Sequence, residues 1–147
     1  MVDGSIAFKN GIEESGLFVL RKTRTEGDEF QIEGTFKGIK ALITYQSLGS
    51  AGISMGVFLY FQRIPDKRVA KLTKLRQKLK HSGLPEGFTD FNVSSCGPGV
   101  WEPYLWFLYN QQYKTYEAKT LAKEGADLFA QGYEEMKLPL TKILSEI

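Results

Sequence analysis

Four lysines recur at helical spacing: Lys67, Lys71, Lys74 and Lys78 follow one another at intervals of four, three and four residues. On a helix these intervals place the side chains on one face, and no acidic residue stands at i±4 to any of them. We call this set the lysine ridge. An uncompensated row of ammonium groups attracts carboxylates or phosphates by charge, with little base selectivity, because bidentate contacts to guanine are better made by arginine. The pattern therefore predicts docking to an acidic protein surface or a nucleic-acid backbone.

The ridge belongs to a strongly basic segment in an acidic chain. Residues 63–81 hold eight of the nineteen Lys and Arg residues and one acid, a net charge of +7, and the other 128 residues carry −5. Arg68 and Arg76 fall at the margins of the helix's apolar stripe, where their stems can cover the body of the protein and their heads can reach water. We include both as candidate partner-binding residues. The apolar stripe itself predicts a core-facing side; it comprises Val69, Leu72, Leu75 and Leu79.

Two other interpretations of the ridge stay open. It can be an ordinary solvated face, compensated by Glu117, Glu124 or Glu135 from the C-terminal helix. Binding to a membrane surface is less favoured, because the apolar stripe lacks Trp and Phe and is needed by the core. We therefore expect no membrane partner.

Aromatic side chains are concentrated in residues 101–109, where we single out Trp101, Tyr104 and Trp106 as candidate anchors for a partner. One strand has too few positions on one face for all of these rings, so some must point away from the main core. They either fill the space between a sheet and the last helix or form a partly exposed platform for a protein or a base.

Other potential chemistry is sparse. Cys96 and His81 are the single cysteine and histidine, and nothing in their spacing predicts a nucleophile–base pair. With one of each, the sequence predicts no zinc or iron site of the usual N/S type, no cofactor and no assigned catalytic residue.

The remaining motifs favour structural roles. Residues 49–56 are glycine-rich but lack Gly-Lys-Ser/Thr and precede a strand, so they indicate a hairpin loop and not a phosphate loop. Glu29 and Glu33 lie on the same face of a strand, about 13 Å apart, which is too far for a direct acid–base pair.

The elements that position these residues follow from periodicity and turn signals. Strands are predicted over residues 17–24, 29–36, 38–46 and 53–63, joined by short turns into an antiparallel meander. A short edge strand is expected at residues 5–8.

The second half places a basic helix between two β units. Pro65 and Asp66 mark its beginning and Ser82-Gly83 its end, near His81. Strands follow at residues 88–93 and 101–110, with a loop at 94–99; Pro103 predicts an edge or irregular position, or the beginning of a helix instead. The C-terminal helix begins near Lys114, and Pro139 should kink or split it near Lys137.

The whole chain of 147 residues is expected to form one α+β domain, with a sheet of about five to six antiparallel strands and a long kinked C-terminal helix packed on it. We see no secretory signal and no segment long enough to span a bilayer, and expect a cytoplasmic protein. The predicted function is a non-enzymatic interaction module, as a subunit or regulator of a larger complex. The alternative is a small enzyme or small-molecule binder with a pocket between the sheet and the C-terminal helix.

Overall fold

An antiparallel sheet forms the centre of the protein in the computed structural model, which describes residues 3–147. Its main strands lie in the order β1-β2-β3-β4-β7-β6, and the two-residue β5 continues the β4 side of β7. The strand bounds are β1 Val19–Glu26, β2 Glu29–Phe36, β3 Ile39–Ser47, β4 Ile53–Tyr60, β5 Ile64–Pro65, β6 Phe88–Gly97 and β7 Val100–Gln111. The predicted α+β class with its antiparallel sheet is confirmed.

Two tight turns set the register of the first three strands. Gly27, with φ of +62°, begins the two-residue turn between Glu26 and Glu29, and glycine is the residue that a type II′ turn requires there. Lys37 and Gly38 both have positive φ, as in a type I′ turn, and close the pair Phe36–Ile39. The meander predicted from these turn signals is confirmed.

Three helices accompany the sheet: α1 (Ser5–Ser15), α2 (Val69–His81) and α3 (Ala118–Glu146). Helices α1 and α3 pack on each other, α3 covers one face of the central strands, and α2 lies beside the edge strand β6. Residues 5–8 are thus the beginning of a helix, and the strand predicted there is wrong. The helical period was hidden because the buried positions Ser5 and Gly11 are small, and a Cβ at Gly11 would lie 2.6 Å from the Lys119 carbonyl oxygen.

The core between the sheet and α3 is dominated by aromatic rings around Phe129, which is fully buried. Its ring lies 4.9 Å from Phe36, 5.3 Å from Phe107 and 5.4 Å from Phe88, measured between centroids. Edge-to-face and offset contacts of this kind add about 0.5–1.5 kcal/mol per pair to the burial of apolar area. These rings hold α3 against strands from both halves of the chain.

The second β unit differs from the prediction in extent. The loop predicted at residues 94–99 is mostly strand, with a tight turn at Pro98-Gly99. Pro103 lies in the interior of the central strand β7, so the edge position and the helix are both wrong. Its carbonyl accepts from the Phe61 amide, so its missing N–H faces the interruption between β4 and β5, where no ladder bond is lost. On the other side Pro103 pairs in register with Val93 of β6, so the irregularity that accommodates the proline lies between β4 and β5 and not in β7.

Helix α3 contains Pro139 and continues through it to Glu146, so the possible split near Lys137 does not occur. On the side of α3 that faces the core, Leu128 is half-buried, and four residues are buried: Leu121, Phe129, Tyr133 and Met136.

Candidate interaction surfaces

The lysine ridge begins in a 3₁₀ turn, Asp66–Arg68, and continues along α2. All four side chains are exposed, whereas Leu72 and Leu79 on the opposite side of the helix are buried. Within residues 3–147, no carboxylate oxygen lies within 4.0 Å of any of the four ammonium groups. The compensation by α3 that one of the alternative interpretations included is therefore not made within these residues, and Glu124 accepts hydrogen bonds from Tyr109 and Tyr113 instead.

Arg76, by contrast, is committed to the fold. Its Nε and Nη2 donate to the two carboxylate oxygens of Asp90 on β6 at 3.0 and 2.8 Å, and both side chains are less than one-fifth exposed. Lys80 lies 3.8 Å from the same carboxylate. Burial alone would raise the pKa of Asp90, but the hydrogen bonds and charges of Arg76 and Lys80 outweigh it and lower that pKa. Arg76 therefore fixes α2 to the edge of the sheet.

The beginning of the ridge is also tied to the body. A guanidinium N–H of Arg68 donates to the backbone oxygen of Ile147, and the indole Nε1 of Trp101 donates to Asp66 Oδ1 at 2.7 Å. Lys67 and Arg68 line a groove of about 650 Å³ whose other walls are residues 61–65 together with Leu144 and Ile147. Of the three candidate aromatic residues, Trp101 is thus the one bonded to the segment that carries the ridge.

Tyr104 and Trp106 project from the face of the sheet opposite α3, which we call the open face. They lie beside Phe58 and Tyr60 of β4, and all four rings are half-buried. The Phe58 ring is 5.8 Å from Trp106 and 6.1 Å from Tyr104, measured between centroids. The prediction that some aromatic residues point away from the main core is therefore confirmed.

The ridge and the open-face aromatic residues are not brought together. Arg76 reaches Asp90, whose strand partner is Trp106, so the Arg76 side of α2 is the side nearest the open face. At 100° per residue, Lys71 and Lys74 project about 140–160° away from Arg76. The nine candidate residues therefore separate into an outward ridge, two arginines at the junction with the body, and aromatic residues on both faces of β7.

A groove that the sequence did not predict crosses the open face at one end of the strands. Its volume is about 840 Å³, and it is lined by residues of β1, β2, β3, β4, β6 and β7. Two carboxylates lie in it, each shared by two cations. Glu33 pairs with Arg21 at 3.0 Å and Lys22 at 3.6 Å. The groove therefore keeps an excess of positive charge.

The second shared carboxylate, Glu102, is 14% exposed and lies 3.7 Å from Lys40 and 3.8 Å from Arg63. The Lys40 ammonium is also 4.9 Å from the ring centre of Tyr60, within range of a cation–π contact. Burial, with the charge of Glu102, raises the pKa of the Tyr60 hydroxyl, so it is a neutral donor at physiological pH. The groove thus combines aromatic surface, a hydroxyl donor and ammonium groups.

In β4, Phe58 and Tyr60 alternate with buried residues, and in β7, Tyr104 and Trp106 do the same. This alternation is the sequence signal for the aromatic open face. It shows that two adjacent strands place rings on the same face of the sheet, opposite their buried residues. The groove also depends on β1 and β6 approaching one another across the open face, and no local pattern encodes that approach.

Thiol–imidazole chemistry finds no geometric support. Cys96, near the end of β6, contacts the Val100 carbonyl oxygen at 3.5 Å, and His81 ends α2, which precedes the beginning of β6. Eight residues of strand, about 26 Å, separate Cys96 from Phe88 at that beginning. The space between the sheet and α3, where the alternative prediction placed a pocket, is occupied by Phe129 and its neighbours, and the 840 Å³ groove lies on the opposite face.

Across residues 3–147, no group of three or more His, Cys, Asp or Glu side chains could hold a metal ion. Of the helices in that same range, none combines the length and apolar character needed to cross a membrane.

Comparison of the chain with protein-family models, with curated proteins and with solved structures found no match in any of the three.

Proposed function

We propose that this protein is a non-enzymatic interaction module that docks an acidic surface of a partner protein through the lysine ridge, as a subunit or regulator of a larger complex. One observation carries the proposal: the four ridge ammonium groups have no carboxylate within 4.0 Å in residues 3–147, whereas twelve of the other fifteen Lys and Arg side chains do have one. The ridge is free to meet charges on another molecule.

The four ridge ammonium groups repel one another along the helix. Like charges at i,i+3 and i,i+4 cost about 0.2–0.5 kcal/mol per pair, and the ridge contains three such neighbouring pairs. Carboxylates of a partner would relieve this repulsion and add their own attraction. Because the lysines are exposed, the attraction is screened by salt and acts strongly on the association rate.

A protein partner is favoured over a nucleic-acid backbone for two reasons. Lys67 and Lys78 are eleven residue steps apart, about 16 Å at helical rise, so the ridge contacts only a short stretch of a polyanion. The rest of the chain carries a net charge of −5 and would repel the remainder of a long polyanion. The groove lined by Lys67 and Arg68 supports the same choice, because it could receive an apolar side chain next to a carboxylate.

The test is an affinity capture from native lysate with and without nuclease, eluted across a salt gradient. It compares wild type with the triple variant Lys71→Glu, Lys74→Glu, Lys78→Glu. The control carries the same change in net charge on α3, at Lys123, Lys137 and Lys142. We expect the ridge variant to weaken capture by roughly 100-fold, about 3 kcal/mol, with little change in thermal stability.

The control variant should bind as wild type does. Retention of every identified partner by the ridge variant would contradict the proposal. Loss of all partners on nuclease treatment would assign the ridge to nucleic acid instead, with a salt dependence corresponding to about four released counterions.

A second candidate function is small-molecule binding in the open-face groove. Its volume of about 840 Å³ is within the range of about 300–1,000 Å³ that is typical of ligand pockets. Leu42→Trp would fill part of the groove, and a small anionic ligand found by thermal-shift screening should then lose its stabilising effect. An unchanged shift would place such a ligand elsewhere.

A further inference from the structure

Strand β1 is an uncovered edge of the sheet. It pairs with β2 on one side, and seven of its eight residues are exposed; Leu20 is half-buried. None of the three helices packs against it with more than marginal contact. An edge of this kind presents unpaired backbone N–H and C=O groups, which form a template for another strand.

The hairpin register identifies the available backbone groups. The two-residue turn at Gly27-Asp28 makes Glu26 and Glu29 a hydrogen-bonded pair. Hydrogen-bonded pairs then recur at every second residue, so Arg24 and Lys22 also bond to β2. Thr23 and Thr25 direct their N–H and C=O groups away from the sheet, toward the free edge.

On the open face the charged side chains of this edge are basic from residue 21 to residue 24, and Glu26, at the turn end of β1, lies 3.6 Å from Arg24. Lys22 and Arg24 point there from the regular ladder, and Arg21, at the bulge between Leu20 and Lys22, also reaches Glu33. All three cations line the 840 Å³ groove. Thr23 and Thr25 project on the other side. Over residues 22–25 the edge thus alternates a basic residue with a threonine.

We propose that the free edge of β1 binds an extended, acidic segment of a partner protein as an added strand, with carboxylates at alternate positions opposite Lys22 and Arg24. Backbone hydrogen bonds to Thr23 and Thr25 supply affinity, as in other cases of strand addition, and the charges supply selectivity. Cross-strand pairs of opposite charge contribute about 0.2–1 kcal/mol each. Side chains of the added strand that point to the open face would lie at the rim of the open-face groove.

A second copy of this chain fits the edge poorly. A two-fold axis through Thr23 pairs β1 with itself over its greatest length, and it sets Lys22 of each copy opposite Arg24 of the other. Like charges directly opposite one another destabilise a sheet, and basic residues on edge strands discourage self-pairing. The same charges favour an acidic strand.

The site is separate from the lysine ridge, because β6 approaches β1 near residues 94–96, whereas α2 is bonded to β6 at Asp90 and its ridge lysines project away from the open face. The probe is a synthetic eight-residue peptide of alternating glutamate and threonine, titrated into ¹⁵N-labelled full-length protein. We expect the amide signals of Thr23 and Thr25 to shift most and their hydrogen exchange to slow. The same peptide with lysine in place of glutamate should bind at least about tenfold more weakly.

Two matched variants test the backbone contact. Thr23→Pro removes an outward N–H that β2 does not use, whereas Thr23→Val keeps it; we expect binding to fall about tenfold in the first and to persist in the second. Arg24→Glu tests the contact between Arg24 and a carboxylate of the added strand, and it does not depend on whether the proline variant folds. Its melting temperature is measured to check that it is unchanged.

Four results would overturn the proposal. One is equal binding by the proline and valine variants, and another is equal binding of the acidic and basic peptides. The third is a concentration-dependent dimer that Thr23→Pro abolishes, which would assign the edge to a second copy. The triple ridge variant should still bind the peptide, so peptide-induced shifts confined to α2 would support the ridge and reject the edge.

Discussion

The ion pair between Arg76 and Asp90 offers the sharpest test of which basic residues hold the fold. Two charge-assisted hydrogen bonds of 3.0 and 2.8 Å join side chains that are 19% and 17% exposed. Exposed pairs contribute about 0–1 kcal/mol, and loss of one partner of a fully buried pair costs about 3–5 kcal/mol. For this intermediate burial, we expect Asp90→Asn to reduce the free energy of unfolding by about 2 kcal/mol.

A double-mutant cycle isolates the pair itself. Asp90→Asn and Arg76→Met, alone and together, are measured by urea denaturation at pH 7, and we expect a coupling energy of about 1–2 kcal/mol. Asp90→Asn should lower the melting temperature by about 4–8 °C for a domain of this size. A coupling energy below about 0.3 kcal/mol would show that the bidentate contact does not stabilise the fold. Arg76→Met should also leave partner capture unchanged, because the bonds of Arg76 to Asp90 assign it to the fold and not to docking.

The pH dependence of this coupling follows from the lowered pKa of Asp90. A carboxyl group whose pKa is lower in the folded than in the unfolded state stabilises the fold at pH values above its unfolded pKa, near 3.9. That stabilisation decreases as the pH falls through the lower folded-state pKa. The coupling energy should therefore be constant from pH 7 to about pH 5 and disappear in strong acid.

Three further predictions concern the core, the helix contact and the thiol. Phe129→Ala should reduce the free energy of unfolding in urea by about 3–5 kcal/mol, because Phe18, 5.9 Å away between ring centroids, and the three rings described above lose their common partner; a loss below about 1 kcal/mol would contradict the proposed packing. Gly11→Ala improves helix propensity by up to about 1 kcal/mol but drives a Cβ into α3, so it should be destabilising by calorimetry, whereas Asn10→Ala on the exposed side should not. Cys96→Ser should change the melting temperature by less than about 2 °C, and Cys96 in the native protein should react with iodoacetamide, as expected of an exposed thiol.

Local signals predicted much of the fold correctly. Turn residues at Gly27 and Gly38 fixed two hairpins, because few backbone conformations join strands so tightly. The strand at residues 29–36 was predicted for the same reason, because its alternation depends only on neighbours in sequence. The basic helix was predicted to begin at Pro65 and Asp66, whereas Asp66–Arg68 form a 3₁₀ turn and α2 begins at Val69. Helix α1 was missed because Gly11 and Ser5 are buried by contact with α3, a partner more than 100 residues away.

In the candidate site, too, features set by neighbours in sequence could be predicted and features set by distant contacts could not. The ridge follows from helical spacing and could be predicted, whereas the pairing of Arg76 with Asp90 depends on where α2 meets β6. The open-face groove requires the curvature of the whole sheet. Pro103 is the clearest example of a feature that local sequence does not predict. Its missing N–H was recognised, but a central strand tolerates it because of the interruption between β4 and β5, about forty residues earlier in the chain.

The packing of α1 on α3 has a consequence for the order in which the protein can fold. Residues 16–117 separate the two helices, so α1 must wait for its partner through about 5–20 s of synthesis at typical ribosomal rates. During that interval the apolar side of α1, with Phe8 and Ile12, and the face of the sheet that α3 later covers are both exposed. The nascent chain therefore passes through a state that offers a large apolar surface to chaperones, and slower translation should lengthen its exposure to aggregation.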